Sequence, residues 1–327
     1  MTARRAFVRS LGGALLAAAA PTPAQHPKVY VIGILTSGAA GAERQRFDDF
    51  ARGLRDLGYV EGTNIRIERR YANGKFEDLP ALAGDLVQRK VDVIVGMSTV
   101  ATKAAKQATG TIPIVFATVA DPVAEGLAAS LAHPGGNVTG ISNVSASLGG
   151  KQLQVLKDAA PAVSRVAVFT APRAPHADAQ LVELAGAAKA LHMEMQTTQF
   201  RQRDDLEPML RQLREWRTNG IYVMQGAENS ALRQSLVELA EKARLPAIYP
   251  QRSYVEAGGL MSYGSNFDAN YYRAASYVDR ILKGRKAADL PIEQPTKFEL
   301  VINLKTARGL GLTIAPPLML RADELIQ

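Results

Sequence analysis

From residue 28 onward, short runs of β-branched and other apolar residues alternate with longer stretches whose apolar positions recur every three or four residues. This is the pattern of βαβ units and a parallel sheet. Strands are predicted at 29–35, 65–70, 91–95, 114–117 and 138–142, with helices over 43–57, 76–89 and 100–108 between them. The strand at 65–70 alternates apolar and charged residues and therefore reads as an edge. The pattern then restarts. Strands at 166–169, 193–197, 221–224, 247–249 and 260–262 are separated by helices near 177–191, 205–216 and 231–243. No sequence repeat relates the two halves, so only their topology is duplicated.

The tail does not extend the second half. A helix at 267–282 carries Tyr271, Ala275, Val278 and Leu282 on one face, and a stretch with Pro291 and Pro295 leads to a strand at 298–302. Such a tail is predicted to cross back onto the first half and return. The expected division is a first lobe of 28–142 plus about 264–296 and a second of 143–263 plus about 297–327. Length agrees, because 327 residues exceed one ordinary core and suit two α/β lobes of roughly 120–150 residues each.

Composition narrows the chemistry. With 47% hydrophobic and 21% charged residues the chain is an ordinary globular one, and the absence of cysteine excludes disulfides, thiolate catalysis, iron–sulfur clusters and cysteine-based zinc sites. The first residues read as a secretory signal over 1–24: Arg4 and Arg5, an apolar run at 11–20, then Thr22-Pro23-Ala24 with cleavage after Ala24. The run is far shorter than the about 20 residues of a membrane-spanning helix. Arg4-Arg5-Ala6-Phe7-Val8 fits both the general and the twin-arginine export routes, and no cysteine stands ready for a lipid anchor, so a free periplasmic protein is expected. Setting aside Arg4, Arg5 and Arg9 reduces the net charge from +8 to +5. The remaining cations are dispersed among acids, as in Glu68-Arg69-Arg70, which argues against a nucleic-acid partner.

No G-x-S-x-G elbow, H-E-x-x-H or glycine-rich dinucleotide fingerprint occurs, and Gly149-Gly150-Lys151-Gln152 lacks the first glycine and the Ser/Thr of a phosphate-binding loop. The four histidines (26, 133, 176 and 192) have no metal-like spacing. The sequons at Asn137 and Asn143 carry no weight in a bacterial-style export product. The expectation is a protein that is not an enzyme and needs no cofactor or metal.

What recurs instead is a polar cluster just after a strand, where open α/β sheets bind ligands. In the first half these are Thr36-Ser37, Ser98-Thr99 and Thr118 through Asp121, whose hydroxyls and helix N–H groups suit an anionic group such as a carboxylate. Ser98 or Thr99 reads equally well as a helix cap. The second half offers Thr170 to Arg173, Gln225 to Asn229 and Tyr263 to Asn266. Glu228 is placed to neutralise an ammonium or simply to favour a helix start, and Tyr263 to stack on a ligand. Tyr254, Tyr271 and Tyr272 read as packing or surface residues.

Three stretches, Gly53-Leu54-Arg55-Asp56-Leu57-Gly58-Tyr59-Val60-Glu61-Gly62, Leu131-Ala132-His133-Pro134-Gly135-Gly136-Asn137-Val138-Thr139-Gly140 and Pro295-Thr296-Lys297-Phe298-Glu299-Leu300-Val301-Ile302-Asn303-Leu304-Lys305-Thr306-Ala307, closely resemble the ABC-transporter substrate-binding family that includes tryptophan/tyrosine-type binding proteins. The resemblance runs from about residue 28 to the end. It implies a type I periplasmic-binding fold with two Rossmann-like lobes, a three-stranded hinge that closes on a small-molecule ligand, delivery to an ABC permease in the inner membrane, and a monomer. Carried over, the family's first-lobe ligand loops fall on Thr36-Ser37, Ser98-Thr99 and Thr118 to Asp121. The second-lobe match is weaker: at Gln225-Gly226-Ala227-Glu228 many relatives carry Asp-Pro followed by apolar residues. Characterised relatives suggest a polar or anionic, amino-acid-like ligand, aromatic among them. The alternatives are a secreted α/β hydrolase, for which no nucleophile and base can be assembled, and the effector domain of a transcription regulator, which the export signal and the lack of a helix-turn-helix oppose.

Overall fold

The computed structural model describes residues 28–41, 43–143, 148–170, 177–200, 203–295 and 297–327. The signal expected over 1–24 lies outside these residues, as do 171–173 of the second half's first polar cluster. Among the described residues no helix is long and apolar enough to cross a membrane.

The first half runs β1 (Tyr30–Thr36), α1 (Arg44–Asp56), β2 (Ile65–Tyr71), α2 (Leu79–Gln88), β3 (Val93–Gly96), α3 (Thr99–Ala108), β4 (Ile114–Val119) and β5 (Val138–Ser142). The strands form one parallel sheet in the order β2-β1-β3-β4-β5. The period-2 alternation sorts side chains to the two faces. Ile32, Ile34, Val93, Val95 and Val115 share a core with Phe50 and Leu54 of α1, whereas Leu35, Ile94 and Phe116 pack with Leu86 of α2 and Ala101 of α3.

The second half continues with α4 (Gly149–Ala159), β6 (Arg165–Thr170), α5 (Ala177–Ala190), β7 (Glu194–Gln199), α6 (Leu206–Glu215), β8 (Gly220–Val223), α7 (Ala227–Ala231), α8 (Arg233–Ala243), β9 (Ala247–Tyr249), α9 (Arg252–Glu256) and β10 (Met261–Ser265). The order β7-β6-β8-β9-β10 repeats that of the first sheet, strand for strand. Each half therefore has a switch point where the strand order reverses, between β1 and β3 and between β6 and β8, and a crevice opens there at the carboxyl ends of the strands.

The tail supplies α10 (Phe267–Leu282), β11 (Phe298–Asn303), α11 (Leu304–Gly309), α12 (Pro316–Arg321) and β12 (Glu324–Ile326). The face of α10 that the sequence marks as apolar does pack on the first sheet, with Tyr271, Ala275 and Val278 buried in the core that also holds α1. Gly53 of α1 permits this close approach: a Cβ there would overlap the Tyr272 carbonyl and Ala275. The chain then returns, and β11 adds antiparallel to β10 with β12 parallel beyond it. The segments that join the two sheets run side by side. The Ser142 amide donates to the Glu293 carbonyl at 2.8 Å, the Glu293 amide to that of Gly140 at 3.1 Å, and Ser265 Oγ to that of Asn143 at 3.5 Å.

Two elements depart from expectation. The Gly149-Gly150 pair opens α4, a helix absent from the predicted elements, and glycine suits both positions because a Cβ there would press on Leu184 or Ala187 of the adjacent α5. Gln152 behind it is buried, taking the Tyr222 hydroxyl and donating to the Tyr263 carbonyl at 2.6 Å. The helix predicted at 231–243 starts earlier and in two pieces, α7 and α8, with Gly226 in extended conformation at the start of the first.

Candidate functional site

The carboxyl ends of the two sheets face each other across a cavity of about 410 Å³. On the first side, β1 and β3 deliver Ser37 and Ser98, whose hydroxyls lie 3.1 Å apart. Ser98 is the cap of α3: its Oγ accepts from the Ala101 amide at 3.4 Å, and its carbonyl accepts from Thr102 Oγ1 at 2.8 Å. Gly96 is needed behind it, since a Cβ would collide with Thr102. Capping and cavity lining thus coincide at Ser98, and Thr99 lines the same wall. Thr118 at the end of β4 donates to the Met97 carbonyl at 3.3 Å, and Asp121 accepts the Val123 and Ala124 amides at 3.1 and 3.0 Å, which folds its loop toward the opening.

On the opposite side, β8 delivers Gln225, and α7 and α8 contribute Glu228 and Arg233. Phe267 and Tyr271, one turn apart on α10, belong to the first side, on whose sheet α10 packs, and supply an aromatic surface there. The Tyr271 hydroxyl donates to the Met97 carbonyl at 3.0 Å and lies 3.2 Å from Thr118 Oγ1. Burial pushes this phenol up to about 12 against the pull of nearby Arg46, so it remains a neutral donor.

The residues that tie the two sides together are not the predicted ones. Arg46 of α1 donates to both carboxylate oxygens of the buried Glu43, at 2.9 and 3.0 Å, and its guanidinium carbon stands 5.7 Å from the centre of the Tyr271 ring. Its other nitrogen crosses the cavity to Gln251 Oε1 at 3.2 Å. Gln251 passes the connection on, donating to Gln225 Oε1 at 3.1 Å and Ser230 Oγ at 3.4 Å. Burial acts against the Arg46 charge and is outweighed by the hydrogen-bonded Glu43 carboxylate, which holds the guanidinium above its ordinary value.

Of the ten predicted residues, Ser37, Ser98, Thr99, Thr118, Asp121, Gln225 and Glu228 line the cavity. Thr36, Thr170 and Tyr263 do not. Thr36 and Thr170 are the last residues of β1 and β6, each 1% exposed, and Thr36 Oγ1 is turned back to the Gly38 amide at 3.1 Å. Tyr263 sits mid-strand on the pleat that faces α4, its ring tilted against Phe298 at 6.2 Å. Sequence reasoning missed Arg46, Glu43, Gln251 and Arg233, treated Tyr271 as packing or surface, and passed over Asn143, which lines the cavity. A rule consistently applied would have found Gln251, because it follows β9 as Ser98 follows β3.

Comparison with known proteins agrees with the geometry. The family model of ABC transporter substrate-binding proteins matches residues 28–326. A tyrosine-binding protein of Clostridioides difficile strain R20291 is 27% identical over 263 residues, 80% of this chain and 75% of that protein. The solved structure of an ABC domain in complex with L-Trp from Streptococcus pneumonia is 23% identical with a TM-score of 0.85, over 91% of this chain and 100% of that one. A conserved domain protein from Vibrio cholerae O1 biovar eltor is 27% identical, with the same TM-score of 0.85 and the same shares of 91% and 100%.

Proposed function

The chain belongs to the family of ABC transporter substrate-binding proteins, and we propose that it captures an amino-acid-like ligand, aromatic or amphipathic, in the cavity between its sheets. The observation that carries this is the cavity itself. It lies at both switch points, its about 410 Å³ is in the range of small-molecule sites, and it sets hydroxyls, a helix N-terminus and an aromatic pair on the first side opposite Glu228 and Arg233. A carboxylate suits the Ser98-Thr99 side, an ammonium the acidic groups, and a ring the Phe267–Tyr271 surface. Fold and family give no support to the hydrolase alternative.

The mechanism in this reading is closure of two lobes, 28–142 with about 264–296 and 143–263 with about 297–327. The packing of α10 on the first sheet and the pairing of β11 with β10 support that division. The ligand stabilises the closed form by its differential affinity, and the closed form is what a membrane permease receives. The protein acts as a monomer without a cofactor, and the leader pattern at 1–24 directs it to the periplasm.

A thermal-shift panel of amino acids tests the reading on the mature protein. A ligand at 100 times its Kd stabilises the fold by about 2.7 kcal/mol, which is several degrees in Tm for a protein of this size. L-tyrosine and L-tryptophan are expected among the hits, and a panel in which no amino acid shifts the transition would overturn it. A second outcome is specific to the first wall. Ser98→Ala with Thr99→Ala removes two lining hydroxyls and one cap, so calorimetric affinity for the best hit should fall about tenfold while the fold loses only about 1 kcal/mol. Unchanged affinity would remove this wall from the site.

A further inference from the structure

A second, smaller cavity of about 140 Å³ lies beside the main one, and the two share Arg46, Arg233, Gln251 and Phe267 in their walls. The shared residues form a partition. Gln251 is its keystone: its side chain is buried, caps no helix, and spans from Arg46 on one side of the cavity to Gln225 and Ser230 on the other. Behind it the small cavity carries charged groups, with Arg252, Glu256, Asp268 and Glu299 in its lining beside Phe267, and it is bordered by Ser253, whose buried hydroxyl has no hydrogen-bond partner among the described residues. A buried hydroxyl without a partner is uncommon.

We infer that Gln251, held by Arg46, is a septum that sets the length of the ligand: it closes the main cavity at the size of a single amino acid and keeps a polar extension out of the space behind. The inference rests on the proposed binding of amino acids at the main cavity. It also separates two roles of one side chain. As a cross-cavity hydrogen-bond partner Gln251 favours the closed arrangement, which raises the apparent affinity for every ligand alike. As a wall it discriminates between ligands, and only the wall alters a ratio of affinities.

The experiment therefore measures ratios. Calorimetric affinities of L-tyrosine, glycyl-L-tyrosine and L-tyrosylglycine, the last two lengthened by a polar residue at the amino or the carboxyl end, are compared in the wild type, Gln251→Ala and Gln251→Met. The wild type is expected to prefer L-tyrosine. Gln251→Ala joins the two cavities, so the affinity of at least one dipeptide relative to L-tyrosine should rise tenfold or more. Gln251→Met keeps most of the bulk and loses the hydrogen bonds, so it should weaken all three ligands and leave the ratios near those of the wild type. Ratios that stay fixed in a folded Gln251→Ala protein overturn the septum while L-tyrosine binding by the wild type keeps the binding reading intact. An equal rise in Gln251→Met also overturns it, since bulk would not be what excludes the dipeptide. A wild type that binds none of the three, nor any other amino acid, removes both the binding reading and the septum.

Discussion

Arg46→Ala is expected to cost about 3 kcal/mol of stability and to weaken ligand binding by roughly 10- to 30-fold, the largest effect on affinity of any single substitution in the cavity. Two separate losses add up to this. The Glu43 side chain is only 8% exposed and that of Arg46 only 16%, so deleting the guanidinium leaves a carboxylate in a water-poor site without its cation. The second loss is the hydrogen bond to Gln251, the direct link between the helix that covers the first sheet and the loop that follows β9 of the second. A charge-assisted bond of this kind contributes about 1.5–3 kcal/mol where water is excluded, and it exists only when the two sides are close. The two losses are separable. Arg46→Ala combined with Glu43→Gln should recover most of the stability in urea unfolding, because no buried charge remains, yet should leave affinity as low as in the single variant. If the single variant unfolds at the wild-type urea concentration, or binds as tightly, Arg46 is no more than a solvated cation.

The same contact bears on how closure is balanced. A ligand can shift an open–closed equilibrium only by the difference in its affinity for the two forms. Protein groups that meet across the cavity contribute without any ligand and set the point from which the ligand works. Arg46 to Gln251 to Gln225 and Ser230 is such a contribution, made of hydrogen bonds of 3.1–3.4 Å. Apparent affinity is the intrinsic affinity multiplied by the closed fraction, so substitutions that break these bonds without opening the wall, such as Arg46→Ala or Gln251→Met, alter apparent affinity for every ligand together. Substitutions at Glu228 or Asp121, which line the cavity without crossing it, should instead distinguish one ligand from another.

How far the site was legible follows from where its residues sit along the chain. The alternation of period-2 and period-3.6 segments located both sheets, and the rule that ligands meet the carboxyl ends of strands led straight to Ser37, Ser98 and Gln225. The rule is sharper in the structure than in the sequence, because the last residue of a strand is still inside the sheet. Thr36 and Thr170 are buried ends, whereas Ser37, one position later, is free to face the opening. Tyr263 fails for the related reason that a mid-strand side chain points into whichever helix covers that pleat. Arg46 lies beyond any local rule: its partner Gln251 is 205 positions away, and nothing around Phe47 and Asp48 distinguishes it from a solvated helix cation. Tyr271 was assigned correctly to the apolar face of its helix, but an apolar face does not reveal that its rim is also the floor of a cavity.

That double position makes Tyr271 the site of the largest expected loss of stability. The side chain is 1% exposed and packs in the core that joins α10, α1 and the first sheet, while its hydroxyl holds the Met97 carbonyl just before Ser98. Tyr271→Ala removes a ring from a packed interior and leaves a cavity continuous with the ligand site, so a loss of about 3–5 kcal/mol is expected in urea unfolding, as for other large aromatic truncations. Tyr271→Phe is the informative companion. It keeps the ring under Arg46 and deletes only the hydroxyl, leaving the Met97 carbonyl with Thr118 Oγ1 as its remaining side-chain donor; about 1–2 kcal/mol should be lost. Affinity should follow a different order. Because the ring rather than the hydroxyl forms the aromatic surface with Phe267, Tyr271→Phe should bind within about threefold of the wild type, while Tyr271→Ala, where it folds, should bind at least tenfold more weakly. If Tyr271→Phe loses as much affinity as Tyr271→Ala, the hydroxyl contacts the ligand itself and its bond to Met97 gives way on binding. If neither substitution changes affinity, the aromatic surface of α10 has no part in the site and the ligand is held by the hydroxyl wall and the charged side alone.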